Sequence, residues 1–487
     1  MRNTISMKKK QQQLFIILNK LKPQLAKKIL LATLLLIGSA ATTNAQEPII
    51  YSLDSFIAQV KKYHPIAKQA DIQVDKAAAE LLAARGSFDP TIALDASRKT
   101  FNGTNYYFYT NPELTIPLPV GNIKTGLENN GGDLLNSEVT NGKTSYLGVE
   151  MPLAKGLLLD SRRAILQQAK LYRSQSEQER LIILNNLLFD AYTTYWQWAG
   201  SYQQYSLFSK FTEIATDRLR LVRIAYNNGD RAMMDTMEAF TQLQNYQLMQ
   251  TDALQKFNNT KLELSNFLWF SNDSSYLLPA NYTPETLQFA TNNMQALDDF
   301  LLKSAEQNPL LRAYDFKLNS LEVERKLKFQ SLLPYIALKA NILNKDYFAL
   351  KNISNNFIQN NYKWGIDFKI PLFLREARGD YRKAQLKIRE TSLEFINKKQ
   401  QTVTKIRSYY NDVLFLAQQL VITQNMYANY QALLKNEELK FTQGESSLFL
   451  VNSRETKLIE VLQKQIELTI KYYKAKYAVE WSAGLLQ

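Results

Sequence analysis

The chain has 487 residues, with 59 Lys and Arg against 45 Asp and Glu, a single histidine and no cysteine. Without cysteine there are no disulfides, thiolate metal sites, cysteine nucleophiles or lipid-bearing cysteine, and one histidine excludes most histidine-based metal centres. No cofactor is therefore expected, and the fold must rest on packing.

Residues 1–45 differ from the rest. They combine Lys8, Lys9, Lys10, Lys27 and Lys28, an apolar run from Ile29 to Ile37, and small residues ending at Thr43-Asn44-Ala45. This is the pattern of a secretory signal peptide cut before Gln46, and the apolar run is too short for a spanning helix. The long basic region leaves Met1 or Met7 as the start. The segment holds eight Lys and Arg and no acid, so removing it lowers the net charge from +14 to +6. Nucleic acid is accordingly not expected as a partner.

From 46 to 270 the pattern reads as a first structural repeat. A short helix carries Ala67, Ala70, Val74, Ala77, Leu81 and Ala84 at helical spacing. A strand follows, in which Ile92, Leu94 and Ala96 alternate with Thr91, Asp95 and Ser97. Residues between Asn102 and Asn141 read as a long external loop, with Tyr106, Tyr107, Phe108 and Tyr109 near a strand end. A second strand alternates Leu147, Val149 and Met151 with Ser145, Gly148 and Glu150. Between Arg163 and Tyr226 there is no proline and one internal glycine, Gly200, so one helix of about 64 residues, roughly 95 Å long, can form. Its apolar spacing of three and four, at Leu181, Leu184, Leu188, Ala191, Tyr195 and Trp198, is that of coiled-coil packing. A turn at Tyr226-Asn-Asn-Gly229 then leads into a further helical stretch.

Residues 271–295, with Pro279 and Pro284, read as a linker, and 296–487 as a second repeat of the same order. His64-Pro65 and Pro90 recur as Asn308-Pro309 and Pro334, each displaced by 244; Arg163, Ala169 and Gly229 recur as Arg378, Ala384 and Gly444, each displaced by 215. Constant offsets are the mark of a duplicated unit. The second-repeat strands place Ile336, Leu338, Ala340 and Ile342 opposite Lys339 and Asn341, and Trp364, Ile366, Phe368 and Ile370 opposite Lys363, Asp367 and Lys369. Between Lys345 and Asn361 a second external loop is expected, with Tyr347, Phe348 and Tyr362 beside it. The long helix repeats the seam at Val403, Ile406, Tyr410, Val413, Ala417 and Leu420, and turns at Phe441-Thr-Gln-Gly444.

Two readings fit the strand alternation: a soluble antiparallel sheet with one buried face, or membrane-spanning strands with an apolar row to lipid and a polar row to a wet lumen. Four strands cannot close a barrel with a wet lumen, and a bilayer tolerates no open edge, so the second reading requires several chains to share one barrel.

The strand-ending Ile370-Pro371-Leu372-Phe373 with Arg378 and Ala384, its partner Met151-Pro152-Leu153 with Arg163 and Ala169, and the two tip glycines resemble the TolC family of outer-membrane efflux channels, over nearly all of the mature sequence. The resemblance implies a mostly α fold with transmembrane β: long antiparallel helical hairpins forming a periplasmic tunnel, and four strands per protomer in a homotrimeric twelve-stranded barrel. It implies passive export from an inner-membrane pump through a periplasmic adaptor, with outer-membrane lipid as the other contact. Ile92, Leu94, Leu147, Val149, Ile336, Leu338, Trp364, Ile366 and Phe368 would face lipid. Asp95, Glu150, Lys339, Asp367 and Lys369 would face the lumen.

The resemblance also points to a periplasmic gate at Tyr226, Gly229, Arg231, Asp235, Phe441, Gly444 and Glu445. Family members often close it with a tyrosine three before the second glycine, an arginine two after and an acid six after; here Phe441, Ser446 and Leu450 stand there, while the first repeat keeps Tyr226, Arg231 and Asp235. Asp235 reads either as part of a cation-attracting ring or as a solvated helix-start carboxylate.

No enzymatic constellation emerges. His64 before Pro65 reads as a cap or a solvent-exposed residue, and Gly142-Lys143-Thr144 lacks the upstream glycine and the strand-to-helix context of a phosphate loop. Glu150 and Asp367 come from different repeats and read as lumen charges. The competing function is a periplasmic coiled-coil adaptor or scaffold that never spans a membrane.

Overall fold

A computed structural model describes residues 49–287, 295–347 and 360–487. The expected signal peptide, the end of the expected linker and most of the expected second external loop, Phe348 included, lie outside the described residues. In chain order the elements are β1 (Ile49–Tyr51), α1 (Leu53–Tyr63), α2 (Pro65–Gly86), β2 (Thr91–Phe101), β3 (Thr104–Pro117), β4 (Asn122–Gly131), β5 (Gly142–Pro152), α3 (Ser161–Asn227), α4 (Met233–Ser265) and β6 (Tyr282–Pro284). They continue with α5 (Leu297–Gln307), α6 (Pro309–Gln330), β7 (Tyr335–Lys345), β8 (Tyr362–Lys369), α7 (Arg375–Thr442) and α8 (Leu448–Ala483). Around Ile49 and Asn281 a small separate unit forms, in which the Ile49 amide donates to the Asn281 carbonyl at 2.9 Å.

Helix entry is governed by the same chemistry at His64-Pro65 and at Asn308-Pro309. His64 is extended, as a residue before proline must be, and its Nδ1 accepts from the Ile66 amide at 3.2 Å; Asn308 does the same through its Oδ1 for Leu310 at 3.0 Å. His64 is thus a cap and is buried, not solvent-exposed. Burial against Phe267 and Trp269 pushes its pKa below the ordinary histidine value. Arg163 has a local task at the strand-to-helix corner: it pairs with the N-cap Asp160 at 3.1 Å and donates to the Leu157 carbonyl at 3.1 Å.

At 67 and 68 residues, α3 and α7 are each about 100 Å long. In α3 the seam residues Leu188, Ala191, Tyr195 and Trp198 are fully buried. In α7 every seventh residue, Ile406, Val413 and Leu420, is buried, with Tyr410 and Ala417 only half covered. Helices α3 and α8 meet in an aromatic ladder: Phe189 on Trp481 with centroids 4.8 Å apart, Tyr192 on Tyr477 at 3.9 Å and Trp196 on Tyr473 at 3.9 Å. One step further Gly200 continues the ladder, where a Cβ would come within 2.0 Å of the Ile470 side chain. The glycine inside the long helix is a contact point, not a break.

All four expected strands form, but the segment from Asn102 to Asn141 is not simply a loop. It holds β3 and β4, giving a six-stranded antiparallel sheet in the order β2-β3-β4-β5-β7-β8. Tyr106 to Tyr109 lie in the first half of β3, near its Thr104 end. Asn102 and Gly103, both at positive φ, make the tight turn between β2 and β3. Gly142 opens β5, so Gly142-Lys143-Thr144 belongs to a strand.

Candidate functional site

Two regions hold the residues that the sequence singles out: the sheet and the hairpin tips. In the sheet, cross-strand partners share a face. One row runs Ile92, Leu114, Thr125, Leu147, Ile342, Tyr362, and the next runs Ile116, Ile123, Val149, Ala340, Trp364. Leu338 with Ile366 and Ile336 with Phe368 extend the same face. It is exposed on the outer strands, where Ile92 is 81% exposed, Leu94 65%, Trp364 65% and Phe368 65%, and half-exposed between them, as at Leu147 and Val149. A soluble sheet would cover such a face.

The opposite face is polar. One row reads Thr91, Thr115, Lys124, Gly148, Asn341, Lys363. Glu150 pairs with Lys124 at 3.1 Å, and Lys339 pairs with Asp367 at 2.7 Å, so Glu150 and Asp367 are each matched to a lysine rather than to one another. Asp95 and Lys369 sit on the two outer strands, β2 and β8, opposite Asn111 and Tyr335.

At the tips both turns use the same three hydrogen bonds. Asn228, Gly229 and Asp230 donate to Ile224, Tyr226 and Ala225; Gln443, Gly444 and Glu445 donate to Leu439, Phe441 and Lys440. Gly229 and Gly444 have φ of +82° and +79°, the left-handed conformation that closes a helix. Asp235 lies in the first turn of α4. Arg231 reaches from the first tip to the second: its Nη2 donates to the Phe441 carbonyl at 3.0 Å, and its guanidinium lies 4.1 Å from the Phe441 ring centroid. Tyr226 is 42% exposed and is not part of that contact.

A network that the sequence reading missed lies deeper in the same hairpins. Glu455 of α8, 1% exposed, forms an ion pair with Arg218 of α3 and accepts from the Tyr246 hydroxyl of α4 at 2.7 Å. Arg218 also donates to Asn452 at 3.1 Å, and Asn452 to Glu238 at 3.1 Å. Burial, reinforced by the Glu455 carboxylate, holds the Tyr246 phenol well above the ordinary tyrosine range. Around it pack Phe211, Ala215, Leu219, Val222, Leu243 and Leu458, so both hairpins share one core here.

No described helix is long and apolar enough to cross a membrane. Residues 301–484 match the family model for outer membrane efflux proteins. No curated protein sequence matches the chain. Several solved structures do so in fold. The Campylobacter jejuni outer membrane channel CmeC is 15% identical with a TM-score of 0.61, over 88% of this chain and 85% of its own. The Vibrio cholerae outer membrane protein VceC is 13% identical at 0.61, over 88% and 95%. The Neisseria gonorrhoeae outer membrane channel MtrE, in its open state, is 14% identical at 0.63, over 88% of each chain. The family resemblance read in the sequence stands, and the chain has the fold of these channels.

Proposed function

We propose that this chain, whose second repeat carries the outer membrane efflux protein signature, is one protomer of a homotrimeric outer-membrane duct that passively exports what an inner-membrane pump delivers through a periplasmic adaptor. The observation that carries the reading is the apolar face that runs from Ile92 on β2 to Trp364 on β8, exposed on its outer strands and backed by a charged face. Bilayer lipid matches the first face and a water-filled lumen the second. Among the described residues the outer edges of β2 and β8 are unpaired, and a bilayer leaves no water to satisfy their backbone groups. Pairing β8 of one copy with β2 of the next removes both edges at once.

The helices add support. Phe415 and Ile422 on α7 are 62% and 58% exposed, as expected of a tunnel wall that closes only against neighbouring protomers. The rival adaptor reading accounts for long hairpins but gives no reason for an apolar sheet face. Opening is a movement of the tips at Gly229 and Gly444, and the adaptor favours the open form only through contacts stronger in that form. Arg231 on Phe441 and the Glu455 network join the two tips of one protomer, so they move together. Asp235 is suited to the N-terminal amides of α4, and three copies about one axis would also concentrate cations at the entrance.

Planar-bilayer recording tests the proposal. Purified protein should insert and conduct in steps of one unit, whereas a protein that never inserts would overturn it.

A further inference from the structure

We infer that the β3–β4 hairpin spans the membrane, so that each protomer contributes six strands and the barrel of the trimer has eighteen strands. This rests on the membrane reading above and extends it. Within the sheet β2 does not touch β5: β3 and β4 stand between them, hydrogen-bonded on both sides. With 14 and 10 residues, the two strands have the length a tilted crossing requires.

The side chains follow the same rule as the flanking strands. On the lipid face β3 places Pro112, Leu114 and Ile116, and β4 places Ile123, Thr125 and Leu127, in register with Leu94 and Ile92 on one side and with Leu147 and Val149 on the other. On the lumen face stand Asn111, Glu113, Thr115, Lys124 and Glu128. Glu113 and Glu150 both pair with Lys124, at 3.6 and 3.1 Å, and the Tyr146 hydroxyl donates to Glu113. The charge cluster thus crosses β3, β4 and β5 without a break. A solvent loop has no reason to keep this phase, or to bring the Tyr146 ring so close to Gly126 that a Cβ there would lie 2.7 Å from it.

Pro112 is consistent with an internal strand. Having no N–H, it leaves a gap in the ladder to β4 between Tyr109 and Glu113, and the Asn111 side chain fills it by accepting from the Asn129 amide at 3.2 Å. With strands about 4.8 Å apart and tilted about 40°, eighteen strands give a backbone diameter of roughly 36 Å, against roughly 24 Å for twelve. The barrel would then be wide enough that the hairpin tips, and not the membrane section, restrict passage.

The cysteine-free chain permits a direct test by single-cysteine labelling in isolated outer membranes. One maleimide is carried on a lipid acyl chain; the other is charged and membrane-impermeant. Leu114→Cys and Ile123→Cys should react with the lipid-borne reagent as fully as Ile92→Cys and Trp364→Cys, while Glu113→Cys and Lys124→Cys react only from water. If Leu114→Cys and Ile123→Cys react only from water while Ile92→Cys and Trp364→Cys still react from lipid, the hairpin is external and only this inference falls. If all four react only from water, the membrane reading falls with it. A cysteine pair gives a second measurement: Ile123→Cys with Val149→Cys should oxidise to an intrachain disulfide and Ile92→Cys with Val149→Cys should not. The reverse pattern would place β2 beside β5 and overturn the inference.

Discussion

Removing Arg218 should unlock the hairpins near their tips. Glu455 is 1% exposed and depends on Arg218 for its counter-charge and on Tyr246 for one hydrogen bond. Taking away one partner of a buried ion pair costs about 3–5 kcal/mol, because the remaining carboxylate stays in a low-dielectric site. Arg218→Met should therefore weaken the local structure by about that amount. Arg218→Met with Glu455→Gln removes the stranded charge and keeps an acceptor for Tyr246, so its cost should fall to about 1–2 kcal/mol. The assay is native-state hydrogen exchange on the purified protein in detergent, following amides of α3, α4 and α8 around Leu219, Leu243 and Leu458. Since each 1.4 kcal/mol is tenfold, the single variant should exchange on the order of a thousandfold faster there and the double variant about tenfold faster. Equal acceleration in both would refute the reasoning, because the loss would then be one of packing and not of charge.

Other outcomes follow from the same geometry. Gly229→Ala and Gly444→Ala should each cost about 1–2 kcal/mol through positive φ alone, since open space surrounds both positions; exchange at the tip amides would report it, and Gly→Asn should cost less. His64 titrates below its ordinary value because it is buried, so the unfolded chain takes up its proton first as pH falls. Stability should be full above about pH 6.5 and decline below it, and His64→Asn, which copies Asn308, should remove that dependence in thermal melts followed by circular dichroism. Gly200→Leu should separate α3 from α8 where Ile470 approaches and lower the melting temperature, whereas a change at solvent-exposed Gly379 should not. Arg231→Leu removes the only described hydrogen bond from Arg231 to the second tip, so the two tips of a protomer should no longer move together and single-channel records should gain intermediate conductance levels; unchanged records would mean that this contact does not couple the tips.

The helical parts were the most legible in the sequence, and the reasons are local. Proline and glycine are scarce between Arg163 and Tyr226, seam residues such as Leu188 and Trp198 recur at three and four, and a tip glycine needs no distant partner to explain it. The cap role of His64 was one of two readings left open for the same reason, while its burial was not legible. The β3–β4 hairpin was not recognised because Pro112, Pro117, Pro119 and several glycines resemble a loop, and Tyr106 to Tyr109 resemble an interfacial belt. The signal was nonetheless present: Asn102-Gly103 is a hairpin dipeptide, and Leu114, Ile116 and Ile123 keep the apolar phase of Ile92. Glu455 could not be singled out at all. Its importance arises only when α3, α4 and α8 bring Arg218 and Tyr246 to it from more than two hundred residues away.

The central claim is that the strands find their missing partners in identical copies. Single-particle imaging of the detergent-extracted protein tests it most directly. Three chains closing one barrel, with β8 of each beside β2 of the next, is the expected result. A lone polypeptide whose Ile92 and Trp364 face is covered by its own helices would contradict the account.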